Sequence, residues 1–238
     1  MLNMGVDASD FLRRADDMLN RHLPQIEVWA VNWTAQDGLD ALKDHMRVTF
    51  DRPTRWTLNA FHVWRATKTA PVATVQEKGH VARRHYLKVQ SAGGPRPQTA
   101  LDKLLSERVV SAEILHSVVP AEGARLNAYG NWSPGERNQA LSGIGAQRDR
   151  AANATDASRA RGLRRGRASY FVPRNGGLSP GIWKRTASGD LSKVAHFTKA
   201  APRYDAAFHF EGVVARTYRD RIGINLRRAF ERALATAR

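Results

Sequence analysis

The sequence predicts an α+β protein with N-terminal helices, a mixed or antiparallel sheet interrupted by a long basic arm, and a long C-terminal helix. Two observations predict this class. Apolar residues recur at helical spacing near both ends of the chain, whereas the middle holds short runs rich in β-branched and aromatic residues. The arginine-rich segment 146–168 interrupts those runs. We therefore expect a single α+β domain over 1–238, in which 146–168 is an arm or extended loop.

The first fifty residues favour two helices. The pattern predicts an amphipathic helix over 7–23, and Pro24 suits the first turn of a second helix. The apolar stripe of that second helix begins at Ile26 and Trp29 and continues to Met46. Asp51–Thr54 reads as a helix stop and turn.

The period then changes to that of strands. Aromatic and β-branched content predicts two strands within 57–67 and 71–79. Further along we expect helices over 80–90 and 98–107, a loop at 93–97, and strand and loop over 109–119.

The last hundred residues combine helices and short strands. Ser133, Pro134 and Glu136 form a helix-start pattern, and that helix should run to about Ala146. Strand-like runs follow at 168–173, 180–187, 193–199 and 203–210. The chain closes on a helix over 211–237, whose predicted apolar stripe consists of Val214, Tyr218, Ile222, Leu226, Phe230 and Ala233.

The composition excludes several classes of protein. With 238 residues, 42% of them hydrophobic, the chain can bury a core. The absence of cysteine excludes disulfides, thiolate metal sites and cysteine nucleophiles. No apolar run is long enough to span a membrane, and the N-terminus does not read as a signal peptide.

The charge indicates a polyanionic partner. The net charge is +16, and arginine supplies thirty of the thirty-eight basic residues. Residues 1–50 carry a net −3, residues 51–158 a net +6 and residues 159–238 a net +13. The acidic start and basic end could attract each other between subunits, which predicts association that is steeply sensitive to salt. A GC-rich genome would give the same arginine bias without functional meaning.

The arginine-rich segment is the main candidate for contact with DNA or a partner protein. Its only acids are Asp149 and Asp156, and Leu163 is its one large apolar side chain. Such a stretch buries too little surface to offset the entropy of ordering it. The candidate contact residues are Arg148, Arg150, Arg159, Arg161, Arg164, Arg165 and Arg167.

The sequence offers no convincing catalytic or metal site. Ser179 lies in a G-x-S-x-G pattern, but that motif needs a strand before the serine and a helix after it, and here a turn leads into a strand-like run. The histidines are scattered, and His80 and His85 are five apart instead of the four of a zinc helix. We expect no enzymatic activity, no cofactor and no metal.

Large aromatic residues are candidates for subunit contacts. The tryptophans are expected to pack in a core or an interface, and Trp132 is the one expected to be exposed. The candidate interface residues are Trp132, Trp183, Tyr204 and Phe208.

Short blocks in a fixed order resemble a known group of proteins. The blocks are 50–54 with 56–57, 86–87 with 93–96, 129–131, 170–173, 180–185, 203–204 with 208–210, and 233–238. Together they resemble the tail-completion and minor tail proteins of tailed bacteriophages, a group typified by minor tail protein Z of phage lambda. The resemblance covers about 20–238, and the arginine-rich segment is its least typical part.

The resemblance implies a non-enzymatic structural protein at the head–tail joint. Such a protein would form a ring, six- or twelve-fold, around the DNA channel, and would contact portal, adaptor, terminator or tail-tube proteins. It would reside in the virion, and in the host cytoplasm during assembly. The arginine-rich segment would face passing DNA or bind an adjacent protein. The alternatives are a soluble, non-enzymatic DNA-binding protein that grips phosphates with this segment, and a hydrolase that uses Ser179.

Overall fold

The computed structural model describes residues 7–79, 86–110, 114–174 and 177–236. Their helices and antiparallel strands confirm the predicted α+β class, with helices at the N-terminus and a long helix at the C-terminus. Contacts divide the chain into two units, residues 1–87 with 207–238, and residues 88–206. Contact density does not decide whether the chain unfolds in one step, so the single domain stays a prediction.

The first unit contains the two longest helices and a hairpin. Its elements are α1 (Ser9–Asp17), a π-helical turn (Met18–His22), α2 (Leu23–Thr49), α3 (Arg55–Leu58), β1 (Phe61–Trp64), β2 (Thr74–Glu77) and α8 (Phe210–Thr236). β1 and β2 pair antiparallel, as expected for the two predicted strands. Thr57 is helical instead, because the side chain of Thr54 accepts a hydrogen bond from its backbone N–H and starts α3.

Small side chains hold α2 and α8 together. Ala229 and Ala233 are fully buried and cluster with Ile26 and Ala30 of α2. The amide of Asn225 donates to Thr34 Oγ1 over 3.1 Å and to Asp37 Oδ2 over 2.9 Å. Small residues bring two helix backbones close together, so this face of α8 packs against α2.

The predicted apolar stripe of α8 is therefore largely wrong. Tyr218, Leu226 and Phe230 lie exposed, whereas the buried positions are Asn225, Ala229 and Ala233. Of the predicted stripe, Ala233 alone is buried in the described part of α8. The pattern of large apolar residues located the helix correctly but misplaced its inner face.

Phe208 completes a second cluster in the same unit. It is 1% exposed and packs with Met46 of α2 and Phe61 of β1. The ring of Phe208 lies 5.9 Å from that of Phe61, centroid to centroid. The residues just before α8 are thereby fixed in the core.

The second unit is built on a four-stranded antiparallel sheet. Its elements are α4 (Tyr86–Ala92, which begins at the unit boundary), β3 (Gly94–Pro95), α5 (Ala100–Arg108), β4 (Ser117–Pro120), α6 (Pro134–Gly143), a 3₁₀ turn (Arg150–Ala152), α7 (Asp156–Arg164), β5 (Ser169–Phe171), β6 (Gly181–Arg185), β7 (Leu191–Thr198) and β8 (Arg203–Tyr204). The strand order is β4-β7-β6-β5.

Two local predictions differ from the structure. The expected loop at 93–97 contains β3, which pairs with β8, and the expected strand over 203–210 is reduced to the two residues of β8. Of the helix expected over 80–90, residues 80–85 lie outside the described ranges. The same applies to His80 and His85.

Asp102 ties α5 to the sheet. Its carboxylate is buried and accepts hydrogen bonds from the backbone N–H of Thr99 over 2.6 Å and of Val118 over 2.7 Å. Arg96 adds an ion pair over 3.1 Å. One side chain thus caps α5 and fixes the start of β4. No helix among the described residues is long and apolar enough to cross a membrane.

Candidate nucleic-acid interface

The arginine-rich segment folds instead of extending. Ala146 is fully buried, the 3₁₀ turn follows, and α7 begins where Thr155 Oγ1 accepts a hydrogen bond from the backbone N–H of Ser158. Gly145 has a φ of 75° and ends the turn after α6, as expected for a helix C-cap. The extended-loop form of the prediction is therefore not what the chain adopts.

Hydrogen bonds to α6 explain why so polar a segment is ordered. Ser142 Oγ donates to the carbonyl of Ala152 over 2.8 Å, and the N–H of Ala154 donates to the carbonyl of Ser142 over 3.1 Å. Arg108, at the end of α5, donates to the carbonyls of Gln147 and Arg148. These bonds satisfy the backbone without a large apolar contribution.

A buried carboxylate fixes α6, on which the segment is built. Glu136 accepts hydrogen bonds from the backbone N–H of Arg125 over 2.6 Å, from Trp132 Nε1 over 3.0 Å and from Lys184 Nζ over 3.2 Å. Burial disfavours its charge, but these donors outweigh burial and hold the pKa of Glu136 below its usual value. The hydroxyl of Tyr170 also lies against it, and burial, aided by Glu136, raises the pKa of Tyr170 to about 12.

The sequence pointed to Glu136 for another role. The helix start predicted at Ser133–Glu136 is confirmed, but the side chain of Ser133 makes no cap hydrogen bond. Glu136 instead accepts a hydrogen bond from the indole of Trp132, one turn earlier. The spacing of four between an indole donor and a carboxylate was the available signal.

All seven predicted contact arginines are exposed, but they do not share one surface. Arg159 folds back onto α6, where it donates to the carbonyl of Gly143 over 2.9 Å and pairs with Asp156 over 2.8 Å. It lines a cavity of about 840 Å³ together with Arg167. Arg148 and Arg150 belong to the turn before α7.

Arg161, Arg164 and Arg165 form what we call the outer arginine face. Arg161 and Arg164 belong to α7 and Arg165 is its C-cap, and their spacing of three and four places them on one side of the helix end. Arg159, Gly162 and Leu163, on the other side of α7, line the cavity. None of the three arginines has a carboxylate partner among the described residues.

The electrostatics of this face leave it available to an external anion. The two acids of the segment are engaged locally, Asp149 with the N–H of Ala151 and Asp156 with Arg159. Like charges at this spacing cost roughly 0.2–0.5 kcal/mol per pair. Cations near a helix C-terminus recover a comparable amount. The face is therefore tolerated by the fold but is not neutralised by it.

Two of the four predicted interface residues are buried and cannot contact a neighbouring subunit. Trp132, which we expected to be exposed, is 6% exposed because its indole is bonded to Glu136 inside the core, and Phe208 is buried as described above. Trp183 is half-buried, and its Nε1 donates to the carbonyl of Ser179 over 3.0 Å. Tyr204 is partly exposed in β8.

Ser179 lies in a turn before β6, as its sequence context indicated. Its Oγ accepts a hydrogen bond from Lys193 Nζ over 2.9 Å, and His196 Nδ1 lies 2.6 Å from the same nitrogen. Burial lowers the pKa of Lys193, and burial together with Lys193 lowers the pKa of His196. This contact could not be predicted from the sequence pattern. At this distance a protonated Lys193 donates to the serine, and a neutral Lys193 would accept from it.

No family model, curated protein or solved structure matches this chain. Within the described residues, no group of three or more histidine, aspartate or glutamate side chains could hold a metal ion.

Proposed function

We propose that this chain is a non-enzymatic structural protein of a tailed-phage virion, which completes the tail or the head–tail connection as part of a ring around the DNA channel. The short sequence blocks that together, in their order along the chain, resemble tail-completion proteins support the assignment to the virion. The outer arginine face is the observation that supports contact with DNA. Its three guanidinium groups lie on one side of the helix end without a carboxylate partner among the described residues, which suits a phosphate backbone.

The contact with DNA is of the kind that reads charge and not sequence. Arginines on a surface helix bind phosphates and release counterions, so affinity falls with salt. A channel protein needs only this kind of contact, because every stretch of the genome passes it. Base-specific readout is not required.

The second candidate is a soluble DNA-binding protein that uses the same face. The two functions predict different behaviour of the purified chain. A soluble binder should retard DNA as a free monomer or dimer. A component of the joint should bind DNA weakly alone and should be present in phage particles produced from the genome that carries this gene.

The test of the DNA contact is a salt titration of binding to a short duplex of random sequence. Replacing Arg161, Arg164 and Arg165 with glutamine should lower the slope of log K against log salt by up to about 2.7, at about 0.9 per phosphate contact. The matched control replaces Arg174, Lys199 and Arg203, which are also exposed and lie in the same unit. An equal loss in both variants would mean diffuse attraction and would count against the outer arginine face.

A further inference from the structure

Helix α8 carries an oblique row of large apolar side chains that the fold leaves uncovered, and the row winds about 160° around the helix. This apolar stripe consists of Tyr218, Ile222, Leu226, Phe230 and Leu234, one at every fourth residue. Four of them are 44–54% exposed, and Ile222 is half-buried. The row extends over about 24 Å of helix. A contiguous apolar surface of this length marks a contact site.

The positive charge beside the stripe indicates the chemical character of the segment that would cover it. Arg216, Arg219 and Arg227 are exposed and have no carboxylate partner among the described residues. After the first turn of α8, its only acids are Asp220 and Glu231. A segment that covers the stripe should therefore be apolar on one side and acidic at its edges.

Helix α1 has these properties. Leu12 is 63% exposed, and Ala15 lies on the same side of the helix by spacing. Residues 7–17 contain four aspartates and two arginines. In the described chain, every hydrogen bond and ion pair of this segment reaches a residue no more than five positions away. α1 is thus an amphipathic helix without a distant polar partner in the part of the chain that the structure describes.

We propose that α1 of one copy of this chain lies on the apolar stripe of α8 of a second copy. The contact joins two different surfaces, so it is heterologous and can repeat from copy to copy until a ring closes. The ion pair of Asp10 with Arg13 is mostly exposed on both sides, so its exchange for an arginine of α8 costs little. The contact would join neighbouring subunits of the proposed ring. It rests on the proposed function only for the assumption that a ring forms.

Disulfide trapping tests the contact directly, because the chain contains no cysteine. Leu12→Cys and Phe230→Cys variants, each with a tag of different mass, are mixed and mildly oxidised. The expected product is a dimer with one chain of each kind. Val48→Cys is the control, because Val48 is 88% exposed on α2 of the same unit. It should give no more mixed dimer than random collision.

Two outcomes overturn the proposal. If Phe230→Cys chains link only to one another, the stripe pairs with itself in a two-fold contact. If no mixed dimer exceeds the control, α1 does not meet the stripe at all. Phe230→Cys changes an exposed residue, and an unchanged far-UV circular dichroism spectrum shows that the fold is kept.

Solution mass provides an independent measurement. Phe230→Glu should reduce the assembly to monomers, whereas Val48→Glu should leave its mass unchanged. The variant without the outer arginine face should still form the mixed disulfide. An unchanged salt slope in this variant, with intact trapping, would therefore contradict the proposed DNA contact and not this contact. Loss of trapping with an intact salt slope would contradict this contact alone.

Discussion

Glu136 is a buried carboxylate that connects three parts of the second unit. It accepts hydrogen bonds from the loop at Arg125, from Trp132 before α6 and from Lys184 of β6. A buried charge with several donors is costly to leave half-satisfied. Since α6 supports the arginine-rich segment, this residue also positions the candidate interface.

Replacing Glu136 with glutamine should lower the free energy of unfolding by about 2 kcal/mol, because Lys184 loses its counter-charge and one acceptor is lost. Urea denaturation at neutral pH measures the change. Glu122→Gln is the control, since Glu122 is exposed, and it should have almost no effect. Equal stability of the two variants would mean that the buried network contributes nothing.

The pH dependence follows from the lowered pKa of Glu136. Its stabilising effect is fully present above the ordinary value of 4.5, and it is lost as the pH falls through the lower pKa of the folded state. The difference in stability between the wild type and Glu136→Gln should therefore shrink on acidification. A difference that stayed constant down to the acid transition would show that the carboxylate titrates normally.

Helix α8 shows what periodicity can and cannot predict. We predicted the helix over 211–237, and the structure has it at Phe210–Thr236. The face that packs was wrong, because we assigned the largest apolar residues to the core. Alanine and asparagine face α2 instead, since close approach of two helices favours small side chains, and a single sequence does not say which partner a helix meets.

Enlarging the small face should therefore break the helix pair. Ala229→Leu places a large side chain at a fully buried position and should cost about 1–3 kcal/mol. Ala235→Leu, at an exposed position of α8, should be close to neutral. Thermal denaturation of both variants decides whether α8 packs on this face. A larger loss from Ala235→Leu would contradict the packing.

The arginine-rich segment shows what could and could not be predicted about the candidate site from the sequence. The sequence identified all seven arginines, but it could not separate Arg159 and Arg167, which line the cavity, from the outer arginine face. That separation depends on the carbonyl of Gly143 and on Arg108, which is about forty residues away in the chain. Long-range hydrogen bonds of this kind leave no periodic signal.

At the scale of the whole molecule, each unit has its own buried cluster, and the chain passes between the units twice. If the chain is one domain, calorimetry should show a single transition that both Glu136→Gln and Ala229→Leu shift downward. Two transitions, each shifted by one variant alone, would show two domains.

The acids of the first fifty residues bear on the expected assembly by charge. Many of them pair within their own helices, such as Asp40 with Lys43 and Asp10 with Arg13, and Asp37 pairs with Arg221 of α8. We therefore expect association to weaken with salt but to persist, because an apolar contact is not screened. Light scattering across a salt series measures this, and complete dissociation by moderate salt would instead favour assembly by charge alone.

The small face and the apolar stripe of α8 have a consequence for how this chain can change. Residues that fold the helix pair and residues proposed to join subunits alternate along the same helix, yet they are different residues. Substitutions in the stripe can therefore alter subunit association without affecting folding. Mutants of the two faces should fall into separate classes, those that fail to fold and those that fold but remain monomeric.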